Sequence, residues 1–137
     1  MTNIKYKDKF SLSTRISESN RILSKHPGHI PVIVEVMNTT KFTIDKNKFL
    51  VPRNVSAGHL LTSIRKQIKC NSNEAIFMFA NDKMICSTMM LGELYDQYLK
   101  ENVDGDYSNR DMFYYVCVQS ENTFGIEKWF FSKNLLI

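Results

Sequence analysis

Only 3 cysteines occur in 137 residues. They are too few and too scattered for a disulfide framework, which favours a reducing compartment. Gly and Pro are scarce as well, at 5 and 3, which argues against a disordered or collagen-like chain. No stretch approaches the roughly 18 uncharged apolar residues that a membrane span requires. The opening MTNIKYKDKF has no apolar segment of the kind a secretory signal carries. Also missing are the Gly-rich phosphate loop, the G-x-G-x-x-G dinucleotide fingerprint and the G-x-S-x-G nucleophile elbow. His26 and His29 form an H-x-x-H with no second ligand pair, so a solvated loop is preferred to a metal site. Cys70, Cys86 and Cys117 stand apart, and Cys117 reads as a small core residue. A Cys–His pair stays open, because such partners need only be near in space. Asp104 and Asp106 fall in a polar loop where solvation is the default. No catalytic residue, metal or cofactor is expected, and nothing favours an enzyme.

What is present is a chain able to bury a core. It is 43% hydrophobic and 23% charged. Lys and Arg number 18 against 14 Asp and Glu, a net +4. The excess is local: Lys5, Lys7, Lys9, Arg15, Arg21 and Lys25 precede residue 30, and Lys41, Lys46, Lys48 and Arg53 cluster later. Such a surface attracts phosphates, anionic lipid head groups or acidic peptides. A solvated face with no partner explains the charge as well.

The apolar pattern predicts seven elements. Leu12, Ile16, Ile22 and Leu23 fall at helical spacing over 12–25, with Ser11 as cap and Pro27-Gly28 as stop. Residues 30–36, IPVIVEV, form a β-branched strand with Pro31 near its start. Phe49-Leu-Val51 is a second strand ended by Pro52, and the two make an antiparallel hairpin across 31–52, turned near Asn38-Thr-Thr40. In strand two, Lys48 and Leu50 face one way, and Phe49 and Val51 the other. Ser56 to Lys69 is a helix with Leu60, Leu61, Ile64 and Ile68 in one stripe. Asn71-Ser-Asn73 turns the chain into the strand Ile76–Phe79, and Asn81-Asp82 turns it again. Thr88 to Leu99 is a helix with Leu91, Leu94, Tyr95, Tyr98 and Leu99 on one side. Residues 100–111 form a loop, and Phe113 to Val118 is a central strand, apolar on both faces. From residue 30 the order is ββαβαβ. A mixed sheet wrapped over one helix satisfies that order, which is the plan of the α+β class called β-grasp, or ubiquitin-like. The first helix is expected to pack outside as an extension.

Several segments sharpen this reading. They are Tyr6-Lys7, Arg15 with Glu18 and Arg21-Ile22, HIPVIVE over 29–35, DKNKFLVP over 45–52, IRKQI over 64–68, AIFMF over 75–79 and SENTFG over 120–125. In combination they resemble the autophagy ubiquitin-like modifiers, the group of GABARAP and microtubule-associated light chain 3. The resemblance covers most of residues 6–125. It implies a β-grasp domain preceded by two helices. It divides the chain into an N-terminal helical extension (1–29), a β-grasp core (30–120), a flexible conjugation tail (121–125) and a pro-segment (126–137).

It also implies a life cycle. An autophagy cysteine protease cuts after Gly125, and activating and conjugating enzymes join that glycine to phosphatidylethanolamine. The lipoprotein then passes from cytoplasm to autophagosomal membrane and recruits cargo receptors bearing acidic-flanked aromatic-x-x-aliphatic peptides. Without the resemblance Gly125 reads as a turn glycine. With it, the absent Cβ fits a narrow protease cleft. An edge strand accepts an extended peptide as one more strand, and the resemblance assigns that role to residues 46–51. Glu18, Ile22, Pro31, Lys48, Leu50 and Phe113 match the first pocket, for the aromatic side chain. Phe49, Val51, Pro52, Val55 and Leu60 match the second, for the aliphatic one. Lys46 and Lys48 are assigned to the acidic flank. Plain core packing is the other reading of Ile22, Leu50 and Phe113.

The chain departs from the group in four places. Residues 99–111 are longer than the corresponding loop, which touches the rim of the first pocket. Ser63 replaces a bulky apolar residue of the second. The surroundings of Phe10 are unlike the common pattern, which puts the first short helix in doubt. The twelve residues 126–137, with Trp129, Phe130 and Phe131, exceed the usual tail. They are either a pro-segment only or a segment that folds back on an apolar pocket or touches membrane. Two other functions fit the charge and the fold less closely: a ubiquitin-like docking module that is never conjugated, and a small basic nucleic-acid-binding domain. No nucleic-acid partner is expected, because no aromatic stacking motif accompanies the charge.

Overall fold

The computed structural model describes residues 5–37, 43–68, 74–101 and 109–120. The elements are α1 (Tyr6–Lys9), α2 (Leu12–Lys25), β1 (His29–Val36), β2 (Lys48–Pro52), α3 (Ala57–Arg65), β3 (Ile76–Ala80), β4 (Lys83–Met84), α4 (Leu91–Glu101) and β5 (Tyr114–Ser120). The expected turns at 38–40 and 71–73, most of the 100–111 loop, Cys70, Gly125 and the 126–137 tail lie outside the described residues.

The strands form one mixed sheet in the order β2-β1-β5-β3-β4. β1 and β5 run parallel at its centre, from Val32↔Tyr114 to Val36↔Val118. The β-branched run of 30–36 suits this place, since parallel strands covered on both faces need apolar residues throughout. β2 pairs antiparallel with β1, Pro31 facing Leu50 and Ile33 facing Lys48. Pro31 therefore precedes Val32, where the ladder to β5 begins, and its missing N–H breaks no bond in that ladder.

The two faces of the sheet carry different cores. Ile30, Val32, Val34 and Val36 of β1 and Tyr114, Val116 and Val118 of β5 join Leu60 and Ile64 of α3 and Leu91, Tyr95 and Tyr98 of α4. The opposite face holds a smaller group, Tyr6, Ile33 and Phe113, with Phe10, Ile22 and Tyr115 packed on it. The helical extension covers that second face, as expected. Ring packing is dense there: the Tyr6 centroid lies 4.7 Å from Phe10 and 5.4 Å from Phe113.

Local chemistry sets the element ends. Ser11 Oγ accepts from the Thr14 N–H at 3.3 Å, and Ser56 Oγ accepts from the His59 N–H at 3.4 Å, so both expected caps are in place. Gly28 takes φ +83° just beyond α2, a conformation that stops a helix cheaply only at glycine. Asn81 and Asp82 both have positive φ. They form the two-residue turn that joins β3 to β4, as their residue types favour.

Four expectations need correction. The helix over 56–69 stops at Arg65. Ile68 leaves its stripe to bridge Ile44, because a bridge to the β1–β2 connection buries it as well as another helical turn would. The helix over 88–99 starts at Leu91; residues 87–90 instead supply carbonyls to the start of α3, where Ser87 and Met89 accept from Gly58 and Ala57. Leu12 is 41% exposed, since the α2 surface facing the sheet is carried by Ile22 and Ser19. Cys117 stands on the helical-extension side of β5 and is half-buried, because its strand neighbours Val116 and Val118 take the inner face. The short strand β4 was not foreseen; two residues are too few to show alternation.

The environments of the two described cysteines differ. Burial, reinforced by Glu35, pushes the Cys117 thiol up to about 11. Hydrogen bonding to Thr88 draws the exposed Cys86 thiol below its usual value. Since the thiolate is the nucleophile, limited iodoacetamide at pH 8 is expected to label Cys86 well before Cys117, read as modified peptides by mass spectrometry. Equal labelling rates would contradict the burial assigned to β5.

Candidate functional site

β2 is an edge strand. It pairs with β1 on one side, and no strand covers its other side among the described residues. Such an edge offers main-chain donors and acceptors to an incoming extended segment. Leu50 projects from it 42% exposed. Lys46 is exposed on the approach to the strand.

Beside this edge, α1 and α2 face β2 across a cleft of about 420 Å³ lined by Tyr6, Phe10, Ser13, Thr14, Ser17, Glu18 and Lys48. Glu18 and Lys48 belong to the residues assigned to the first pocket. Tyr6, Phe10 and the three hydroxyl residues were not foreseen as lining. Ser13 and Ser17 lie one helical turn apart on the side of α2 that also bears Thr14. That spacing, beside Glu18, was the available signal, but the partner face depends on how α2 docks.

Charge at the cleft is arranged in a chain. Arg21 holds Glu18 through two hydrogen bonds, at 2.7 and 3.2 Å. This draws the Glu18 carboxyl below its usual value, with Lys48 adding to the effect. Lys48 Nζ lies 3.7 Å from Glu18 Oε1. It also stands over the Tyr6 ring at 5.4 Å and the Phe113 ring at 5.8 Å. An exposed pair of this kind contributes little to stability. Lys48 can therefore exchange Glu18 for an anionic partner at small cost.

The remaining first-pocket residues lie beneath this surface. Ile22 packs with Phe113 in the second-face core. Phe113 is buried under Tyr6, and Pro31 is buried in β1 beside Leu50. The structure thus places Glu18, Lys48 and Leu50 at the surface and Ile22, Pro31 and Phe113 beneath it; of these six, Glu18 and Lys48 line the cleft.

The residues assigned to the second pocket flank the other side of β2. Val51 and Leu60 are core residues, while Phe49 and Val55 are partly buried against that core. Pro52 is partly exposed at the strand end. Ser63 donates to the His59 carbonyl at 3.3 Å, within α3. The hydroxyl is thereby folded back on its own helix.

The loop after α4 is pinned at its neck. Arg110 stacks on Tyr98 at 5.3 Å and donates to the Leu99 carbonyl at 3.4 Å. On the opposite flank, Arg53 joins Asp96 at 2.5 Å and donates to the Gly92 carbonyl. A Cβ at residue 92 would meet the Arg53 carbonyl at 3.0 Å, so glycine permits this approach of α4 to the segment after β2. His26 and His29 pack ring against ring, 6.0 Å apart. Among the described residues no group of three or more His, Cys, Asp and Glu is arranged to hold a metal.

A five-stranded mixed sheet in this order, gripping α3 on one face and carrying helices on the other, defines a ubiquitin-like protein with a helical extension. The family described as autophagy protein Atg8, ubiquitin like, matches residues 14–125, and the chain belongs to it. Among its relatives, autophagy-related protein 8h of Arabidopsis thaliana is 33% identical over 121 residues, covering 88% of this chain and 94% of that protein. Autophagy-related protein 8 of Schizosaccharomyces pombe is 36% identical over 121 residues, covering 88% and 93%. The solved structure of Trypanosoma brucei ATG8 superposes with a TM-score of 0.74 at 27% identity, covering 90% of this chain and 99% of that one. Plasmodium falciparum Atg8, in complex with a Plasmodium falciparum Atg3 peptide, gives 0.67 at 26% identity, covering 86% and 99%. The chain is an autophagy ubiquitin-like modifier.

Leu60 tests where core ends and pocket begins. It is fully buried, so Leu60→Ala is expected to cost about 2–5 kcal/mol of unfolding free energy, measured by urea denaturation. A loss near zero, with weakened peptide binding, would assign Leu60 to the pocket surface instead.

Proposed function

We propose that the chain works as a conjugated adaptor. An autophagy cysteine protease cuts after Gly125. Activating and conjugating enzymes of the autophagy system then pass the freed glycine through thioesters to phosphatidylethanolamine, and the β2 face recruits cargo receptors. In this reading residues 121–125 are the conjugation tail, 126–137 the discarded pro-segment, and the protein moves from cytoplasm to autophagosomal membrane. It is a substrate of that chemistry and supplies no catalytic residue.

The observation that carries the docking half is the open β2 edge beside a cleft that Lys48 and Glu18 border. An aromatic side chain of the peptide would sit between α2 and β2, over Ile22, Pro31 and Phe113, bordered by Glu18, Lys48 and Leu50. An aliphatic side chain three residues on would sit against Phe49, Val51, Pro52, Val55 and Leu60. Lys46 and Lys48 would attract the acidic flank and speed encounter. The relative solved with an Atg3 peptide supports a peptide-docking role and contact with the conjugation machinery. The conjugation half rests on family membership over 14–125 and on the glycine that closes that span. A never-conjugated docking module would share the first half only. A nucleic-acid-binding domain would show steeply salt-dependent binding to nucleic acid.

Two outcomes test these halves separately. Lys48→Glu combined with Leu50→Ala is expected to weaken an acidic-flanked Trp-x-x-Leu peptide at least tenfold by calorimetry. Covering the leucine is worth up to about 1.5–3 kcal/mol, and the reversed charge repels the flank. Unchanged affinity with an intact fold would refute docking at β2. Gly125→Ala is expected to leave an uncut, unlipidated chain in cells of the source organism, read as intact mass, since the added methyl obstructs the protease cleft and the acyl transfer. A variant trimmed and lipidated at the normal rate would remove Gly125 from the scheme.

A further inference from the structure

Asp111 ties α2 to the start of β5 through both of its carboxylate oxygens. It is 4% exposed. Its Oδ2 accepts from Arg15 Nη1 of α2 and from the Tyr115 hydroxyl of β5 at 2.8 Å. Its Oδ1 accepts from the backbone N–H of Phe113 at 3.1 Å. Beside it, Ser19 of α2 accepts from the Met112 N–H at 2.9 Å. Arg15 also donates through Nε to the Phe10 carbonyl at 3.1 Å, so the same cation steadies the α1–α2 junction. Burial opposes the charge on Arg15. Hydrogen bonds to Tyr115 and Asp111 outweigh it, so the guanidinium stays firmly protonated.

We infer that Asp111 is the positioning residue of the first pocket: through Arg15 it fixes the α2 wall, and through Phe113 it fixes the floor. This inference rests on the peptide-docking reading above. The wall residues Glu18 and Ile22 lie on α2 within two turns of Arg15, and the floor residue Phe113 is two residues from Asp111. The distance between wall and floor decides whether an aromatic ring fits. The carboxylate holds both sides, because each of its oxygens is engaged, and the Ser19–Met112 bond works beside it.

The carboxylate is needed for its number of acceptors and its charge. Asparagine has the same shape but one acceptor oxygen and one NH2 donor. Turned one way, its NH2 meets the Arg15 cation. Turned the other, it meets the Phe113 N–H. Neither orientation satisfies all the donors, and a buried donor left unpaired drives a local rearrangement. The softest element is the helical extension, whose core is the smaller of the two. The expected change is a loosened α2 over an intact sheet.

The experiment uses the full chain of residues 1–137 and three synthetic acidic-flanked peptides: Trp-x-x-Leu, Ala-x-x-Leu and Trp-x-x-Ala. In the unaltered chain each alanine is expected to weaken binding. In Asp111→Asn the penalty for removing Trp is expected to shrink at least tenfold, while the penalty for removing Leu stays the same. Second-pocket binding thus serves as an internal control that general destabilisation would not spare. Amide exchange is expected to quicken at least tenfold in α2 and to stay unchanged in Val32–Val36 and Val116–Val118. If Asp111→Asn fails to fold, Tyr115→Phe removes one donor to the same carboxylate and carries the same comparison with a smaller effect. Unchanged Trp preference together with unchanged α2 exchange would overturn the inference. An unaltered chain that shows no preference for Trp over Ala would overturn the docking reading itself, and with it any part Asp111 has in docking.

Discussion

The parallel pairing of β1 with β5 constrains everything else. Five residue pairs from Val32↔Tyr114 to Val36↔Val118 run through the middle of the sheet, and both sides are largely apolar, Glu35 being the charged exception and accepting from the Tyr6 N–H of α1. Leaving either side wet would expose Ile33, Phe113 and Tyr115, or Val32, Val34 and Val116. One side is closed by α3 and α4. The other is closed by α1 and α2. The extension is therefore part of the fold's core requirement, and the candidate site exists because its helices end at the border of β2.

That border explains the mixture of chemistries found there. Away from the sheet centre, α2 turns from apolar Ile22 to Glu18 and the hydroxyls of Ser13, Thr14 and Ser17. β2 likewise turns from buried Val51 to half-exposed Leu50 and Lys48. A border of this kind sets polar side chains over an apolar interior without needing any residue to be buried unpaired. Among the described residues, no buried side-chain nitrogen or oxygen lacks a partner.

The fold was legible where one residue type serves one purpose. The β-branched run of 30–36 announced a doubly covered strand, Ser11 and Ser56 announced helix starts, and Asn81-Asp82 announced a reversal. Helix ends were less legible: Ile68 and residues 87–90 satisfy apolar spacing equally well inside a helix or outside it. The candidate site was legible in part. Glu18 and Lys48, two of the residues lining the cleft, came through the family resemblance. The Arg15–Asp111 contact did not, since 96 residues separate its members and nothing local in either segment announces the other. Tyr6 and Phe10 escaped as cleft lining because their position depends on how a four-residue helix, α1, docks onto the rings of Phe113 and Tyr115.

The neck formed by Arg110 has a consequence for how this chain tolerates change. Its planar cation lies on Tyr98 and reaches the Leu99 carbonyl, so α4 and the approach to β5 are fastened to each other before the intervening segment begins. The entropy of closing a loop grows only with the logarithm of its length. Once the ends are fastened, adding residues between them costs little and transmits little. With Arg110 holding the near end to α4, insertions between Glu101 and Asn109 are expected to leave the placement of Asp111 and Phe113 unchanged.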